Sequence, residues 1–267
     1  MPASHTLTFL GTGASCGVPS FYCGCKACKE ARINPRAARS CACLLISGAE
    51  NTLIDASPDL RTQLVQASVE DIARVLLTHE HFDHTGGIPQ LEYYARLKSH
   101  TPLQLYAGAE TLRAIEHQYG FMREVLEPHL IVEGQTFEFD EIAYTPLPAV
   151  HSPGCVGYLI ETLSEHRTRV AYFPDTAPLP TQVWEQLGAL DHLIIDATFN
   201  GRNWMPGSHL SIDEAIACAL SLGAQHTWLT HLAMHYDVPI TLAELEDKLF
   251  EYGGSILPAY DGLVIEL

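Results

Sequence analysis

The chain has 267 residues, 47% of them hydrophobic and 18% charged, which suffices for one large domain or two small ones around a sizeable core. Its formal net charge of −17 disfavours nucleic acid as a partner, because phosphate contacts need lysine and arginine. No run approaches the roughly 18 uninterrupted apolar residues of a membrane span.

Met1 to His5 contains no basic region and no signal-type apolar stretch, which points to the cytoplasm. Residues 7–10 form a short β-type run that ends in the turn Gly11-Thr12-Gly13. Three cysteines follow, Cys23, Cys25 and Cys28, and then a short helical candidate over 29–32, stopped by Asn34-Pro35. Apolar runs at 44–46 and 52–54 read as a hairpin around residues 48–51. Asp59 or Ser57 is placed to cap a helix over 60–67. A strand at 75–77 leads into a histidine-rich loop, and 88–97 looks helical.

The second half repeats the alternation. Strands are expected at 103–106, 130–132, 137–139, 142–147, 155–162, 169–173, 192–195, 226–229 and 264–265. Helices are expected at 109–119, 179–187 and 242–252, and one after the capping-box sequence Ser211-Ile212-Asp213-Glu214 that runs to Leu222 and stops at Gly223. No short repeat, low-complexity tract or linker divides the chain, so one domain over 1–267 is expected, with sheets inside and helices outside.

The loop after the strand at 75–77 reads Thr78-His79-Glu80-His81-Phe82-Asp83-His84, with Gly86 and Gly87 behind it. Imidazoles and a carboxylate packed this tightly call for a positive centre among them. On a strand, His79, His81 and Asp83 would share one face with His84 opposite; on a loop all four could converge. Three further residues stand just past apolar runs in the same way: His151, Asp175 and His231.

With that set in place, the sequence resembles the metallo-β-lactamase superfamily over essentially its whole length. The resemblance implies an α/β fold, a four-layer αββα sandwich with metals at one sheet edge. Carried over by position, it implies that His79, His81 and His151 hold one ion and that Asp83, His84 and His231 hold the other. Asp175 would bridge them. Mixed nitrogen and oxygen donors suit two divalent ions, zinc or manganese. Ions about 3.5–4 Å apart can share a hydroxide and clamp both oxygens of a displacement. True β-lactamases use a cysteine where this chain has Asp175, and flavodiiron proteins have H-x-E-x-D where position 81 here is histidine. Glyoxalase II-type thioesterases share all seven ligands.

Cys23, Cys25 and Cys28 are too close together to close useful disulfide loops with one another, and in a cytosolic chain such spacing reads as metal binding or redox chemistry. Their C-x-C-x2-C spacing suits a compact structural zinc site, which needs a fourth ligand. His235, four residues after His231, is the candidate, with Cys16, Cys41 and Cys43 as rivals. Gly11-Thr12-Gly13, Leu53-Ile54-Asp55, Thr176-Ala177, Ile195-Asp196 and Thr230-His231 narrow the resemblance to the PhnP-type phosphodiesterases. In that family pattern the second histidine lies three residues after the metal histidine, one fewer than here.

The PhnP-type resemblance implies a small phosphodiester substrate, a ribosyl cyclic phosphate, while the acidic charge and the lack of a long apolar run speak against nucleic acid and membrane partners. It also allows a homodimer. A histidine at the position of His209 protonates the departing alkoxide in that family. The need is physical, because an alkoxide leaves poorly and an imidazole titrating near neutrality can donate a proton. Asp83 would help to orient the nucleophile. Two rivals share parts of the pattern: a thioesterase-type metallohydrolase, and a non-hydrolytic protein in the style of PqqB. The other histidines (His5, His100, His117, His129, His166, His192 and His226) are expected on surfaces or strand ends, and Cys155 and Cys218 in the core. Arg61, Asn200, Arg202 and Asn203 are available to a substrate phosphate.

Overall fold

The computed structural model describes residues 5–164 and 166–267. Strands β1 (Thr6–Gly11), β2 (Cys43–Ser47), β3 (Thr52–Ile54), β4 (Arg74–Leu76), β5 (Leu103–Ala107) and β6 (Leu126–Leu130) build one sheet. Strands β7 (Phe137–Phe139), β8 (Ile142–Pro148), β9 (Val156–Thr162), β10 (Arg169–Phe173), β11 (His192–Asp196), β12 (His226–Thr230) and β13 (Ile256–Pro258) build the other. The last strand, β14 (Val264–Glu266), returns to the first sheet, whose order is β14-β1-β2-β3-β4-β5-β6. The second runs β13-β12-β11-β10-β9-β8-β7.

Alternation along each strand sorts the core into three interfaces. Leu44 and Ile46 of β2 face the other sheet and meet Tyr144, Tyr158 and Tyr172 there. Cys43 and Leu45, one residue out of phase, turn to the opposite side and pack with Leu60, Ile88 and Ile115. On β10 the same phase sends Val170 and Tyr172 between the sheets, and Ala171 and Phe173 outward against Val183, Ala215 and Leu245. Helix on sheet, sheet on sheet and sheet on helix make the four αββα layers. Each fully buried large side chain in them contributes about 1.5–3 kcal/mol.

The outer layers are α1 (Lys26–Ala31), α2 (Leu60–Gln66), α3 (Phe82–Thr85), α4 (Glu92–Tyr94), α5 (Ala109–Tyr119), α6 (Thr181–Leu187), α7 (Ile212–Leu222) and α8 (Leu242–Leu249). The capping box at Ser211 forms, with Glu214 N donating to Ser211 Oγ and Ser211 N donating to Glu214 Oε2. No helix among the described residues is long and apolar enough to cross a membrane.

Several boundaries differ from the sequence reading. The stretch over 88–97 is not one helix; a 3-10 turn (Ile88–Leu91), α4 and a π-helical turn (Ala95–Ser99) follow one another. Pro89 in the first of these cannot donate to a regular α-helical ladder. The strand expected at 130–132 lies earlier, at β6, where it pairs in parallel with β5. Asp59 stands at the N-cap of α2 but does not cap it, because its Oδ2 instead accepts from Cys41 N at 3.0 Å. His5 is buried beside Asp140 rather than on the surface.

Candidate metal centre

Each candidate ligand stands where a strand runs out. β4 ends at Leu76, and the chain then turns to His81 before the four-residue helix α3, so the histidine stretch is a loop and not a strand. Parallel register pairs Ile54 with Leu76, which brings Asp55 level with that loop. Asp55 Oδ1 accepts from Thr78 N at 2.8 Å, and its Oδ2 accepts from His84 Nδ1 at 2.7 Å. On the other sheet, register pairs Phe173 with Ile195 and Asp196 with Thr230, so Asp175, Asp196 and His231 share one edge. Two bonds clamp the sheets here: Val156 N donates to Thr78 O at 3.0 Å, and Tyr158 Oη to Leu77 O at 2.8 Å.

The local backbone is under strain. Asp55 and His231 hold φ of 68° and 55°, a region that costs a non-glycine residue about 1–3 kcal/mol. Gly87 has a different task, since a Cβ there would run into Ser57 O and Leu60. Its bareness lets the segment behind His84 press against the start of α2.

The seven expected ligands meet at this edge. The ligand atoms of His79, His81 and His151 lie within 4.8 Å of one another, as do those of Asp83, His84 and His231. Asp175 stands between the two groups: Oδ2 is 2.8 Å from His84 Nε2, and Oδ1 is 3.2 Å from His231 Nε2 and 4.0 Å from His151 Nε2. His81 approaches through Nδ1, 3.0 Å from His151 Nε2.

In His79, His84, His151 and His231 the outer nitrogens are occupied. His84 Nδ1 donates to Asp55, and His151 Nδ1 to Ser208 O at 2.8 Å. His231 Nδ1 lies 2.8 Å from Thr198 Oγ1, and His79 Nδ1 lies 3.0 Å from Thr78 Oγ1. Anchored this way, each ring turns Nε2 inward, as metal-ligating histidines do. Inside, His79 Nε2, His84 Nε2 and Asp175 Oδ2 are buried without a hydrogen-bond partner among the described residues. His84 Nε2 and Asp175 Oδ2 are 2.8 Å apart yet not aligned as donor and acceptor. Acceptors that converge without hydrogen bonds fit a cation between them.

Electrostatics tell the same story. Burial pushes the His84 pKa down, but the carboxylates of Asp175, Asp55 and Asp83 outweigh it and hold it well above the usual value. His79 goes the other way, driven well below by burial and by the neighbouring His84. Burial would raise the Asp83 carboxyl, yet His84 and His231 bring it down to about 2. The hole carries negative charge that protons must balance when no metal does, and a dication would release those protons.

His209 stands beside this set. Its ring lies 4.7 Å from that of His151 and stacks on that of His231 at 5.4 Å. Asp196 Oδ2 accepts from His209 Nδ1 at 2.8 Å. Asp196 is itself fixed by Thr176 N at 3.0 Å and Thr198 N at 2.8 Å. Asp55 and Asp196 were legible only as family matches at strand ends; their work of orienting His84 and His209 appears once the strands are in register. Asn203 reaches His209 O and Glu214 Oε2, and Asn200 reaches Val238 O, so both tie loops together. Arg202 lies over Trp204.

A second cluster stands near the His231 loop. Ligand atoms of Cys23, Cys28 and His235 lie within 4.8 Å of one another, with Cys28 Sγ 3.4 Å from His235 Nδ1. Cys25 falls outside that trio but perturbs both thiols, helping to lower Cys23 and, behind burial, to raise Cys28 to about 12. His235 Nε2 is buried without a partner among the described residues. The rivals point elsewhere: Cys16 to Tyr236 and Tyr22, Cys41 to Ala14 O and Ser15 O, Cys43 to Asp55 O.

A family model for the beta-lactamase superfamily domain matches residues 50–232, which include the seven donors and His209. The chain belongs to the beta-lactamase superfamily. Within it, the chain is similar to a solved diphosphatase of the PhnP family, with 28% identity, a TM-score of 0.85 and 98% of each chain covered. It is 29% identical to an octanoyltransferase of Porphyromonas gingivalis over 95% of its own length, yet spans only 50% of that protein. It is 26% identical to the coenzyme PQQ synthesis protein B of Ruegeria pomeroyi, covering 72% of each. The superfamily fold is therefore common ground, whereas the names of the relatives diverge.

Proposed function

We propose that this superfamily member is a two-metal phosphodiesterase acting on a small diester, a cyclic ribosyl phosphate being the reading favoured by its likeness to the PhnP-family diphosphatase. The observation that carries it is the Asp196–His209 pair set beside seven converging donors. His79, His81 and His151 would hold one ion, Asp83, His84 and His231 the second, and Asp175 both. Zinc or manganese there would supply positive charge for the phosphoryl oxygens and a nucleophile at neutral pH.

The chain's own groups do the rest. With Nδ1 fixed on Asp196, His209 keeps Nε2 for the leaving oxygen and donates a proton as the alkoxide departs. Asp83, with Oδ2 3.4 Å from His231 Nε2, helps to orient the nucleophile. Cys23, Cys28 and His235, whose ligand atoms converge, would hold a structural zinc, with Cys25 as the fourth candidate ligand. The charge of −17 argues for a small substrate over nucleic acid, and eight free cysteines suit a cytoplasmic protein.

Thioester hydrolysis is the second reading, because the same seven converging donors resemble the set of thioesterase-type metallohydrolases. The likeness to the PQQ protein supports a non-hydrolytic one, against which the complete donor set argues. Protein loaded with manganese or zinc and assayed on bis(p-nitrophenyl) phosphate, a ribosyl cyclic phosphate and octanoyl thioesters separates the three. Turnover of the diesters and none of the thioesters is expected. Faster turnover of the thioesters than of the diesters, or no turnover of either diester, overturns the phosphodiester reading.

A further inference from the structure

His79, His84, His151 and His231 each have their outer nitrogen held by a partner, and His81 is the exception among the histidine donors. Its Nδ1 faces His151 Nε2 at 3.0 Å, so Nε2 is the nitrogen turned away from the centre. A neutral imidazole whose Nδ1 lone pair takes a cation carries its hydrogen on Nε2, and that hydrogen needs an acceptor if the ring is to keep its direction. The ring is also the loosest of the set. Its side chain is 48% exposed, where those of His84, His151 and His231 are almost enclosed.

Glu80 stands at that outer nitrogen. Its Oε1 lies 4.0 Å from His81 Nε2, and it is the one carboxylate within that range of His81 among the described residues. Its Oε2 accepts from Ser152 Oγ at 3.0 Å. Ser152 directly follows His151, so one carboxylate spans from the loop of His79 and His81 to the loop of His151. Behind it, Thr85 Oγ1 donates to Glu80 O at 3.3 Å and to His81 O at 3.0 Å. Backbone and side chain of Glu80 are thus both fixed. A separation of 4.0 Å is too long for a hydrogen bond, so the pull on the ring is that of a negative charge on an N–H dipole.

Building on the two-metal reading, we infer that Glu80 is a positioning residue for the first ion. Its carboxylate holds His81 with Nδ1 inward and, through Ser152, ties that ring to the loop of His151.

The test reads metal and not turnover. Manganese prefers nitrogen and oxygen donors to thiolates, so its uptake by the apo protein reports on this centre and not on the cysteine cluster. The free ion is followed by its electron paramagnetic resonance. Glu80→Gln keeps an acceptor for Ser152 and removes only the charge. Its affinity for one of the two ions is expected to fall about tenfold or more, the usual cost of losing such an outer partner. Ser152→Ala, which leaves the charge but frees it, should lose less. In a His81→Ala background no ring remains to be oriented, so Glu80→Gln should change the residual manganese affinity by less than about twofold. Wild-type affinity in Glu80→Gln, or the same loss with His81 absent, overturns this inference alone. A wild type that binds neither manganese nor more zinc than the cysteine cluster holds removes the two-metal centre, and this inference with it.

Discussion

His209 Nδ1 donates to Asp196 Oδ2 over 2.8 Å, and both side chains are buried. A carboxylate can only accept here, so the hydrogen on Nδ1 is specified and Nε2 is left to the substrate. That division of labour separates leaving groups. General acid catalysis is worth about 10²–10⁴-fold where the departing oxygen needs a proton. His209→Ala should therefore lower kcat/KM on alkoxide-releasing diesters by about 100-fold or more, and on bis(p-nitrophenyl) phosphate by less than about tenfold. Asp196→Asn should show the same bias at smaller amplitude, with a shifted pH profile on the alkoxide substrate. Equal losses on both leaving groups would remove His209 from the acid role.

Asp175 is the carboxylate shared by the two donor groups, and His81 is the more exposed member of the first group. Asp175→Ala or His81→Ala should abolish hydrolysis of bis(p-nitrophenyl) phosphate while the circular dichroism stays that of the wild type. Bound active-site metal, read by elemental analysis, should fall in step. Wild-type turnover in either variant contradicts the two-metal assignment.

The seven candidate donors stand out in the sequence because metal chemistry admits few residue types and they fall at the ends of apolar runs. Four of them lie within the loop from His79 to His84, where spacing alone is telling. The layers were also legible, since Leu44 and Ile46 alternate with Cys43 and Leu45 as a strand buried on both faces demands. What the sequence hides is register. Asp55 and Asp196 look like ordinary strand ends until Ile54 pairs with Leu76 and Asp196 with Thr230, which sets each carboxylate against a histidine. The irregular stretch over 88–99 was misread because its apolar spacing is helical while Pro89 interrupts the hydrogen-bond ladder.

The cysteine cluster yields a prediction that needs no substrate. Cys28 and His235 are brought together from opposite ends of the chain, and His235 follows His231 by four residues on one loop. A structural zinc there would tie the N-terminal segment to the loop bearing an active-site donor. Cys28→Ser and His235→Ala should each lower bound zinc by about one equivalent and lower Tm, because metal binding to such a site contributes directly to folding. Zinc content unchanged in both variants, measured after dialysis, would show that these residues hold no ion.

Two tyrosines in the layer between the sheets give a paired test of the fold's energetics. Tyr158 and Tyr172 are both fully buried in the same inter-sheet cluster. Tyr158 Oη donates to Leu77 O at 2.8 Å, at the root of the histidine loop, whereas Tyr172 Oη has no partner among the described residues. Removing one partner of a buried hydrogen bond leaves the other desolvated and unmatched, at about 1–3 kcal/mol, while deleting an unpaired hydroxyl relieves a penalty. Tyr158→Phe should therefore lower the free energy of urea unfolding by about 1–2 kcal/mol, and Tyr172→Phe should leave it unchanged or raise it. The Leu77 carbonyl also anchors the segment that carries His79 and His81, so Tyr158→Phe should loosen active-site metal as well, visible as faster loss to a chelator. Equal stability of the two variants would mean that the cross-sheet bond at Leu77 adds nothing to the fold, and unchanged metal loss in Tyr158→Phe that it does not hold the histidine loop in place.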